Sequence, residues 1–323
     1  MYNKKPPFEI TMSILEQVAE IAELVGRISV SSTLSTNPML RRTNRIRSVY
    51  SSLAIEQNTL SLEQVTAVLN GKRVLAPPKD IAEVKNAYEI YEMMDSLDPY
   101  SVEDLLNAHA VMTRGLTEES GCFRTGSVGV VDQNGNILHF GALPDYAPGL
   151  TKELLNWVKN CEIHMLIKSC VFHYELELIH PFADGNGRMG RLWHTMLLTR
   201  WKPVFAWLPV ESMIHDRQEQ YYAAINQSNF DGESTAFIEF MLTAIRDTLA
   251  EAVQVSGASG MGEDEMRWLR IERFLKKNGS IANADVREMF GVSSATANRI
   301  LSRLADDGRI KKMRVGRYWG YTL

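Results

Sequence analysis

The sequence predicts a mostly α-helical protein with one β-hairpin in its middle and a small α+β domain at its C-terminal end. Three observations support this fold class. Apolar residues recur at helical spacing along most of the chain, one segment near residue 130 alternates as strands do, and a glycine- and serine-rich stretch precedes the last part of the sequence. A length of 323 residues is enough for about two domains.

Amphipathic helices account for most of the predicted structure. The clearest start is at Ser61 and Gln64, which together form a capping box. The run Arg41, Arg42, Arg45 and Arg47 is interpreted as a solvated helix face. Helices are predicted from Pro38 and at residues 12–26, 62–69, 80–94, 101–113, 150–159, 162–179, 188–200, 216–228 and 234–255.

One segment departs from the helical pattern. Residues 123–142 alternate around Val128, Val130, Ile137 and Leu138, with Asn134-Gly135 between the two halves. An Asn-Gly pair between alternating segments is typical of a tight hairpin turn, so this segment is predicted to be a β-hairpin.

The charge of the chain changes sign near a flexible stretch. Residues 256–263 are small and almost uncharged, as linkers often are. The net charge is −4, but residues 261–323 hold 13 basic and 8 acidic side chains. An acidic body with a basic tail predicts two separate tasks.

Composition excludes several classes of protein. No uncharged apolar run approaches the roughly 20 residues that a membrane span requires. No apolar signal-peptide core follows the charges at Lys4 and Lys5. The three cysteines form no CxxC pair, which disfavours a disulfide framework or a zinc site. We therefore expect a soluble, cytoplasmic protein that does not act in a membrane.

The most informative stretch is residues 180–191, between two predicted helices. Backbone N–H groups at a helix start bind anions, and glycines allow phosphate oxygens to approach closely. Arg188 and Arg191 share a helix face and are suited to two phosphate groups. Asp184 is suited to Mg²⁺, and His180 is a candidate general base. A glycine-rich connection with a capping Asp is the alternative interpretation of the loop. It does not account for a histidine, an aspartate, the glycines and two spaced arginines occurring together within twelve residues.

This stretch resembles the signature of the Fic family, His-Pro-Phe-x-Asp/Glu-Gly-Asn-Gly-Arg-x-x-Arg, and it matches every fixed position. The resemblance covers about residues 38–245. It implies a helical bundle with a hairpin flap that aligns a target segment, and transfer of AMP from ATP to a hydroxyl of a protein. His180 would take the proton, Asp184 would hold Mg²⁺, and Arg188 and Arg191 would bind the β- and γ-phosphates.

The resemblance also implies a nucleotide-binding set and a position that organises the flap. Arg124 matches the flap position. Tyr221 and Tyr222 resemble the helix beside the adenine, although buried core tyrosines fit equally well. The implied set is Ala183, Asp184, Gly185, Asn186, Gly187, Arg188, Met189, Arg191, Tyr221 and Tyr222.

A second motif suggests internal inhibition. Ser52 and Glu56, four residues apart, resemble the family's inhibitory helix, predicted at about residues 38–57. The implied role of Glu56 is to pair with Arg191 where the γ-phosphate would bind. Gln57 departs from the family motif, which has Gly or Asn there. A solvated helix glutamate is the alternative interpretation.

The basic tail resembles a winged-helix domain, with three helices followed by two short strands. Such a domain either binds DNA or mediates protein interactions, and a charge of +5 is modest for DNA binding. The candidate DNA contacts are Thr296, Asn298, Arg299, Arg303, Lys311 and Lys312.

The sequence therefore predicts an ATP-dependent protein adenylyltransferase inhibited by Glu56, with Mg²⁺ as cofactor. Alternatives are transfer of another phosphate-containing group, removal of AMP, and a DNA-binding regulator whose nucleotide fold senses ATP. Family resemblance further implies a homodimer. The predicted segments are an N-terminal helical region 1–110, a catalytic core 111–255, the linker 256–263 and a winged-helix domain 264–323.

Overall fold

The computed structural model describes residues 5–31, 38–131, 137–257, 263–315 and 318–323. These residues form two compact units. The first comprises the described residues of Met1–Thr59 and Leu75–Val253, and the second comprises those of Leu60–Val74 and Gln254–Leu323. In the described part of the chain, no helix is both long and apolar enough to cross a membrane.

The first unit is helical apart from one hairpin, which confirms the fold class predicted for it. Its helices are α1 (Met12–Ser31), α2 (Pro38–Ile55), α4 (Pro78–Met93), α5 (Val102–Met112), α6 (Ala147–Asn160), α7 (Met165–Ile179), α8 (Asn186–Trp201), α9 (Val210–Asp216), α10 (Gln218–Asp231) and α11 (Thr235–Gly257). Its strands are β1 (Gly129–Val131) and β2 (Ile137–Phe140).

Two central helices, α7 and α8, pack against each other and flank the phosphate-loop motif. Both are buried around most of their circumference, which is why α7 reads as apolar rather than strongly amphipathic. Phe172 on α7 and Trp193 on α8 are fully buried. Because both helices are fixed by the core, the loop between them has rigid ends.

The prediction that the arginines of α2 form a solvated face is wrong for Arg45. Only 4% of Arg45 is exposed, and its guanidinium lies 4.8 Å from the ring centroid of Trp207. Arg41 lies at the same distance from that ring. A guanidinium over an indole gains cation–π stabilisation, and this allows the charge to be buried.

The central hairpin pairs β1 with β2 in antiparallel register, with Gly129 opposite Phe140. The register shifts between Val130 and Val131. The predicted turn at Asn134-Gly135 lies outside the described residues. Gly141 N–H, just after β2, donates to the Val128 carbonyl and closes the base of the hairpin.

The second unit combines a short helix from residues 60–74 with the C-terminal residues. Its elements are α3 (Leu62–Leu69), α12 (Glu263–Asn278), α13 (Asn283–Phe290), α14 (Ser294–Asp306), β3 (Lys311–Val315) and β4 (Tyr318–Thr322). Ile271, Val286 and Leu301 lie in its apolar core. The capping box predicted at Ser61 and Gln64 is present at the start of α3.

Within this unit, α3 packs against α13, and Arg287 forms an ion pair with Glu63. Ala282 is the N-cap of α13, and the Asp285 carboxylate accepts from its N–H at 2.6 Å. Of the predicted linker, residues 258–262 lie outside the described part of the chain.

Candidate active site

The loop between α7 and α8 is shaped by left-handed residues at both ends. His180 caps α7 with φ 50°, and Gly185 precedes α8 with φ 87°. Inside the loop, the Asn186 side chain accepts from Phe182 N–H at 2.9 Å and donates to the Phe182 carbonyl at 2.8 Å. Asn186 therefore fixes the loop's own conformation.

A histidine from α5 supports the loop from beneath. Gly121 N–H donates to His109 Nδ1 at 3.0 Å, so Nε2 carries the proton and donates to the Asp184 carbonyl at 2.9 Å. The His109 ring also stacks on Phe182, with centroids 3.8 Å apart. Burial lowers the pKa of His109, which keeps it neutral in this role. His109 is a packing residue that holds Asp184 in place.

Arg188 lies between two carboxylates in the first unit. Its guanidinium is 2.8 Å from Asp184 Oδ1 and 3.4 Å from Glu83 Oε1. Partial burial raises the pKa of Asp184, but Arg188 outweighs that effect and the net pKa is lowered. Glu83 also accepts from Asn58 Nδ2 at 2.8 Å. Asp184, 43% exposed at its side chain, therefore stays ionised at the site surface.

Arg191 lies in a second set of contacts, with α2. Its guanidinium donates to Glu56 Oε1 at 2.7 Å, to Ser52 Oγ at 3.0 Å and to the Ser52 carbonyl at 3.0 Å. Gly187 makes the approach possible, because a Cβ there would lie 2.2 Å from Glu56 Oε1. The structure thus brings together Ser52, Glu56, Gly187 and Arg191, which are distant in sequence.

The end of α2 explains why the residue after Glu56 matters. Gln57 N–H donates to the Ala54 carbonyl and Asn58 N–H to the Leu53 carbonyl, the two bonds of a Schellman motif. Gln57 has φ 65°, a conformation that glycine and asparagine adopt more easily. Gln57 therefore keeps the motif's geometry at the expense of backbone strain.

The α10 helix holds the same end of α2. Gln218 Nε2 donates to the Ile55 carbonyl at 3.0 Å, and Tyr222 OH lies 3.5 Å from that oxygen. Tyr221 is 2% exposed, and its hydroxyl lies 3.1 Å from His173 Nε2. The structure thus places Tyr221 in the core and leaves Tyr222 half-buried.

His180 is fixed by backbone contacts on both sides. Its Nδ1 lies 3.2 Å from the Glu177 carbonyl, and since a carbonyl only accepts, Nδ1 carries the proton and Nε2 has the basic lone pair. Arg124 donates to the His180 carbonyl at 2.6 Å and to the Ala142 carbonyl after β2. Arg124 therefore ties the hairpin to the loop.

Two further residues of the expected nucleotide-binding set are placed differently from each other. Met189 is fully buried in the core beneath the loop, whereas Ala183 is exposed at its surface. In the described part of the chain, no three His, Cys, Asp or Glu side chains form a metal-binding group. The partly exposed Asp184 carboxylate suits Mg²⁺, which usually takes its remaining ligands from phosphates and water.

The candidate DNA contacts lie in the second unit. Thr296 Oγ1 lies within hydrogen-bond distance of Ser293 Oγ, at 3.0 Å, and Asn298 Oδ1 accepts from Asn283 Nδ2 at 2.7 Å. These two side chains therefore take part in the unit's own structure. The exposed members of the set are Asn298, Arg299, Arg303, Lys311 and Lys312. Lys312 Nζ lies 5.0 Å from the ring of Trp319, itself 63% exposed.

Sequence reasoning missed Glu83, His109 and Glu177 as parts of this site. Each lies on a helix outside the loop motif, and nothing in the local pattern distinguishes it from other helix residues. A weak signal existed only for Glu177, which lies three residues before His180.

Comparisons with known proteins identify relatives of this chain. Residues 99–198 match the family model described as Fic/DOC family, and residues 263–319 match a domain of unknown function, DUF7343. The chain is 29% identical to protein adenylyltransferase fic-1 of Caenorhabditis elegans over 72% of its length, and 28% identical to protein adenylyltransferase Fic of Nematostella vectensis over 68%. It spans about half of those relatives, 45% and 52% of their lengths.

A solved structure extends the match to almost the whole chain. The crystal structure of a Fic family protein from Desulfovibrio desulfuricans G20 is 42% identical and superposes with a TM-score of 0.76. The match covers 99% of this chain and 98% of that one. On the fold, the motif and this similarity, the chain belongs to the Fic family.

Proposed function

We propose that this protein is an adenylyltransferase that moves AMP from ATP to a Ser, Thr or Tyr hydroxyl of a target protein, and to itself. The observation that carries the proposal is the meeting of His180, the glycine loop and two buried arginines at one helix start. The names of the relatives in C. elegans and N. vectensis support the same activity.

The reaction follows from the placement of these groups. His180 Nε2 takes the proton of the target hydroxyl, and the hydroxyl oxygen forms a bond to the α-phosphorus of ATP. The bond from that phosphorus to the bridging oxygen breaks, and pyrophosphate leaves. Loop N–H groups, Arg188 and Arg191 stabilise the negative charge on the phosphates. Asp184 would hold Mg²⁺, which neutralises phosphate charge.

Glu56 is proposed as an internal inhibitor of this reaction. Its carboxylate occupies Arg191, the side chain proposed to bind the γ-phosphate. Bound ATP then lacks one of its two arginine partners. The ion pair and the close approach over Gly187 support this role.

The position of the radioactive label in ATP tests the activity. The variants are Glu56→Gly and Glu56→Gly/His180→Ala, each incubated with α-labelled or γ-labelled ATP. We expect protein labelling only from α-labelled ATP and only in the variant that keeps His180. Labelling from γ-labelled ATP would indicate phosphate transfer, and no labelling from any nucleotide would overturn the transferase proposal in favour of a nucleotide sensor.

The reverse reaction is a separate outcome. Target protein that already carries AMP is incubated with wild type and with Glu56→Gln. If wild type releases AMP faster than the variant, Glu56 serves in removal of AMP as well. We expect no Glu56-dependent release.

For the second unit we propose contact with duplex DNA through a winged helix. The exposed Arg299 and Arg303 on α14, with Lys311 and Lys312 on β3, support this second function. The test is binding of the full chain to mixed-sequence duplex DNA at several salt concentrations. We expect Lys311→Glu/Lys312→Glu to weaken binding and reduce the salt dependence, whereas Lys276→Glu on α12 does neither. Equal binding by both variants would favour a protein-interaction module.

Two further proposals concern the whole protein. Family resemblance supports a homodimer, and light scattering of the full chain measures this. The free Cys122, Cys161 and Cys170 support a cytoplasmic location, where thiols stay reduced. Fractionation of the native host measures this.

A further inference from the structure

Glu177 contacts the candidate base with two different groups. It lies on the last turn of α7, three residues before His180. Its carbonyl oxygen is 3.2 Å from His180 Nδ1, and its carboxylate Oε2 is 3.8 Å from the same nitrogen. Only 16% of its side chain is exposed. One residue thus presents both a backbone acceptor and a carboxyl group to the proton-bearing nitrogen of the base.

The other carboxylate oxygen of Glu177 faces α8. A Cβ on Gly190 would lie 3.3 Å from Glu177 Oε1 and 2.8 Å from His173 Cδ2. Gly190 therefore leaves space for the His173 ring, with the Glu177 carboxyl at the edge of that space. The next residue is Arg191, whose guanidinium binds Glu56. Glu177 is thus close to the His180 imidazole and within electrostatic reach of both Glu56 and Arg191.

The charge of Glu177 depends on this pair. Burial, followed by the nearby Glu56 carboxylate, raises the pKa of Glu177 to about 8, while Arg191 opposes the shift. The titratable groups that face Glu177 come from α2, α7, α8 and α10, and they are Glu56, His173, His180, Arg191, Tyr221 and Tyr222.

Three of these groups stay neutral near pH 7. Burial holds the pKa of His173 well below its usual value, and burial raises the pKa of Tyr221 and of Tyr222. The groups that act on Glu177 electrostatically are therefore Glu56, Arg191 and a protonated His180. Removing the Glu56 charge leaves Arg191 available to stabilise a Glu177 carboxylate.

We propose that Glu177 is a positioning residue for His180, and that Glu56 acts on the base through Glu177 as well as on ATP through Arg191. Its carbonyl fixes the tautomer with Nε2 as base. Its carboxylate stabilises the imidazolium that forms when Nε2 takes the hydroxyl proton, as an aspartate does for a histidine in other enzymes. With Glu56 in place, burial and the Glu56 charge together hold Glu177 protonated, and this stabilisation is lost. The inference rests on the proposed function of His180.

The test measures the titration of the His180 imidazole by NMR in the ATP-free protein, so it does not need transfer activity. The proteins are wild type, Glu177→Gln, Glu56→Gly and Glu56→Gly/Glu177→Gln. We expect Glu177→Gln to lower the titration midpoint by about half a unit or more in the Glu56→Gly background, and by less in wild type. No shift in either background, or equal shifts in both, would overturn the proposal.

Matched controls separate charge from packing. Glu175→Gln removes a carboxyl from the same helix whose charge acts on Tyr174, and burial raises its pKa to about 7. This variant should leave the His180 midpoint unchanged. His215, which lies 3.6 Å from Asp216, serves as an internal reference in the same spectra.

Kinetics give a second readout. In the Glu56→Gly background, Glu177→Gln should lower kcat for AMP transfer about tenfold without changing the KM for ATP, since the proposed role of Glu177 is in proton transfer to His180 and not in binding of the phosphates. A rise in KM with unchanged kcat would contradict the positioning role. If Glu56→Gly shows no transfer at all, the proposed function fails, and the NMR titration still decides the role of Glu177.

Discussion

Two arginines one helical turn apart on α8 lie in contrasting surroundings. Arg188 and Arg191 are both buried, at 3% and 2% exposure. Arg188 pairs with Asp184 of its own loop and with Glu83, whose side chain is 9% exposed. Arg191 pairs with Glu56, which comes from a distant part of the chain and is 37% exposed.

This difference separates a permanent part of the site from a replaceable one. The partner Asp184 is four residues from Arg188 and moves with it, so that ion pair belongs to the folded loop. Glu56 reaches Arg191 only through the strained end of α2, and its carboxylate resembles a phosphate in being an anionic oxygen acceptor for the guanidinium. We infer that ligand exchange occurs at Arg191 and that Arg188 is fixed.

The largest expected effect is on stability, when a partner of the fixed Arg188 is removed. Glu83→Ala leaves the buried Arg188 with one carboxylate and removes one acceptor of Asn58, so we expect a loss of about 3 kcal/mol in the free energy of unfolding. Glu89→Ala is the matched control on α4, because the Glu89–Arg114 pair is exposed on both sides and should matter little. Urea unfolding measures both. Equal losses would show that the Glu83–Arg188 pair stabilises the fold no more than an exposed ion pair does.

The next effect is a pH dependence of the free energy of unfolding, caused by the buried Glu177 and Glu175. Burial raises the pKa of Glu177 to about 8 and of Glu175 to about 7, so the folded state binds protons that the unfolded state has lost above its ordinary glutamate pKa of about 4.3. The stability that comes from protonated Glu177 and Glu175 is fully present below the unfolded-state pKa. It is lost as pH rises to and through the folded-state pKa values of about 8 and about 7.

The loss of stability should be visible between about pH 6.5 and 8. In this range the buried neutral histidines add little to the pH dependence, because histidines of the unfolded chain are also mostly neutral there. Wild type should lose stability there by up to about 1.4 kcal/mol for each pH unit and each such group. Glu177→Gln should lose less, and Glu175→Gln serves as the comparison on the same helix. Urea unfolding at several pH values measures this. A Glu177→Gln protein with an unchanged slope would show that Glu177 is ionised in the folded state.

The smallest effect concerns the end of α2. Gln57→Gly relieves a left-handed conformation, so we expect a gain of roughly 1 kcal/mol in stability relative to Gln57→Ala, which keeps the strain. Holding Glu56 more firmly on Arg191 should also lower basal AMP transfer. Thermal unfolding and the labelling assay measure the two effects. A Gly variant no more stable than the Ala variant would contradict the strain at Gln57.

The loop at residues 180–191 could be predicted from sequence because its functional groups lie within twelve adjacent residues. The helices and the hairpin follow from apolar periodicity for the same local reason. The partners Glu83, His109 and Glu177 could not be predicted, since their roles depend on which helices approach the loop in space. Asn186 was expected to bind phosphate, but its side chain is committed to Phe182.

Other misses have similar physical causes. Arg45 was expected in solvent, because a sequence shows charge but not the indole ring that Trp207 places over it. The grouping of Leu60–Val74 with the C-terminal unit was also not visible, because residues far apart in the chain pack together there. The departure at Gln57 was visible in sequence, but only its φ of 65° shows what the family's Gly or Asn provides.

The most direct test of the replaceable partner compares two nucleotides by calorimetry. The affinities of wild type and Glu56→Gly are measured for ATP and for ADP in Mg²⁺. Only ATP has the γ-phosphate that competes with Glu56 for Arg191, so the substitution should tighten ATP binding about tenfold or more and leave ADP binding nearly unchanged. An equal change for both nucleotides, or no change for ATP, would contradict the account.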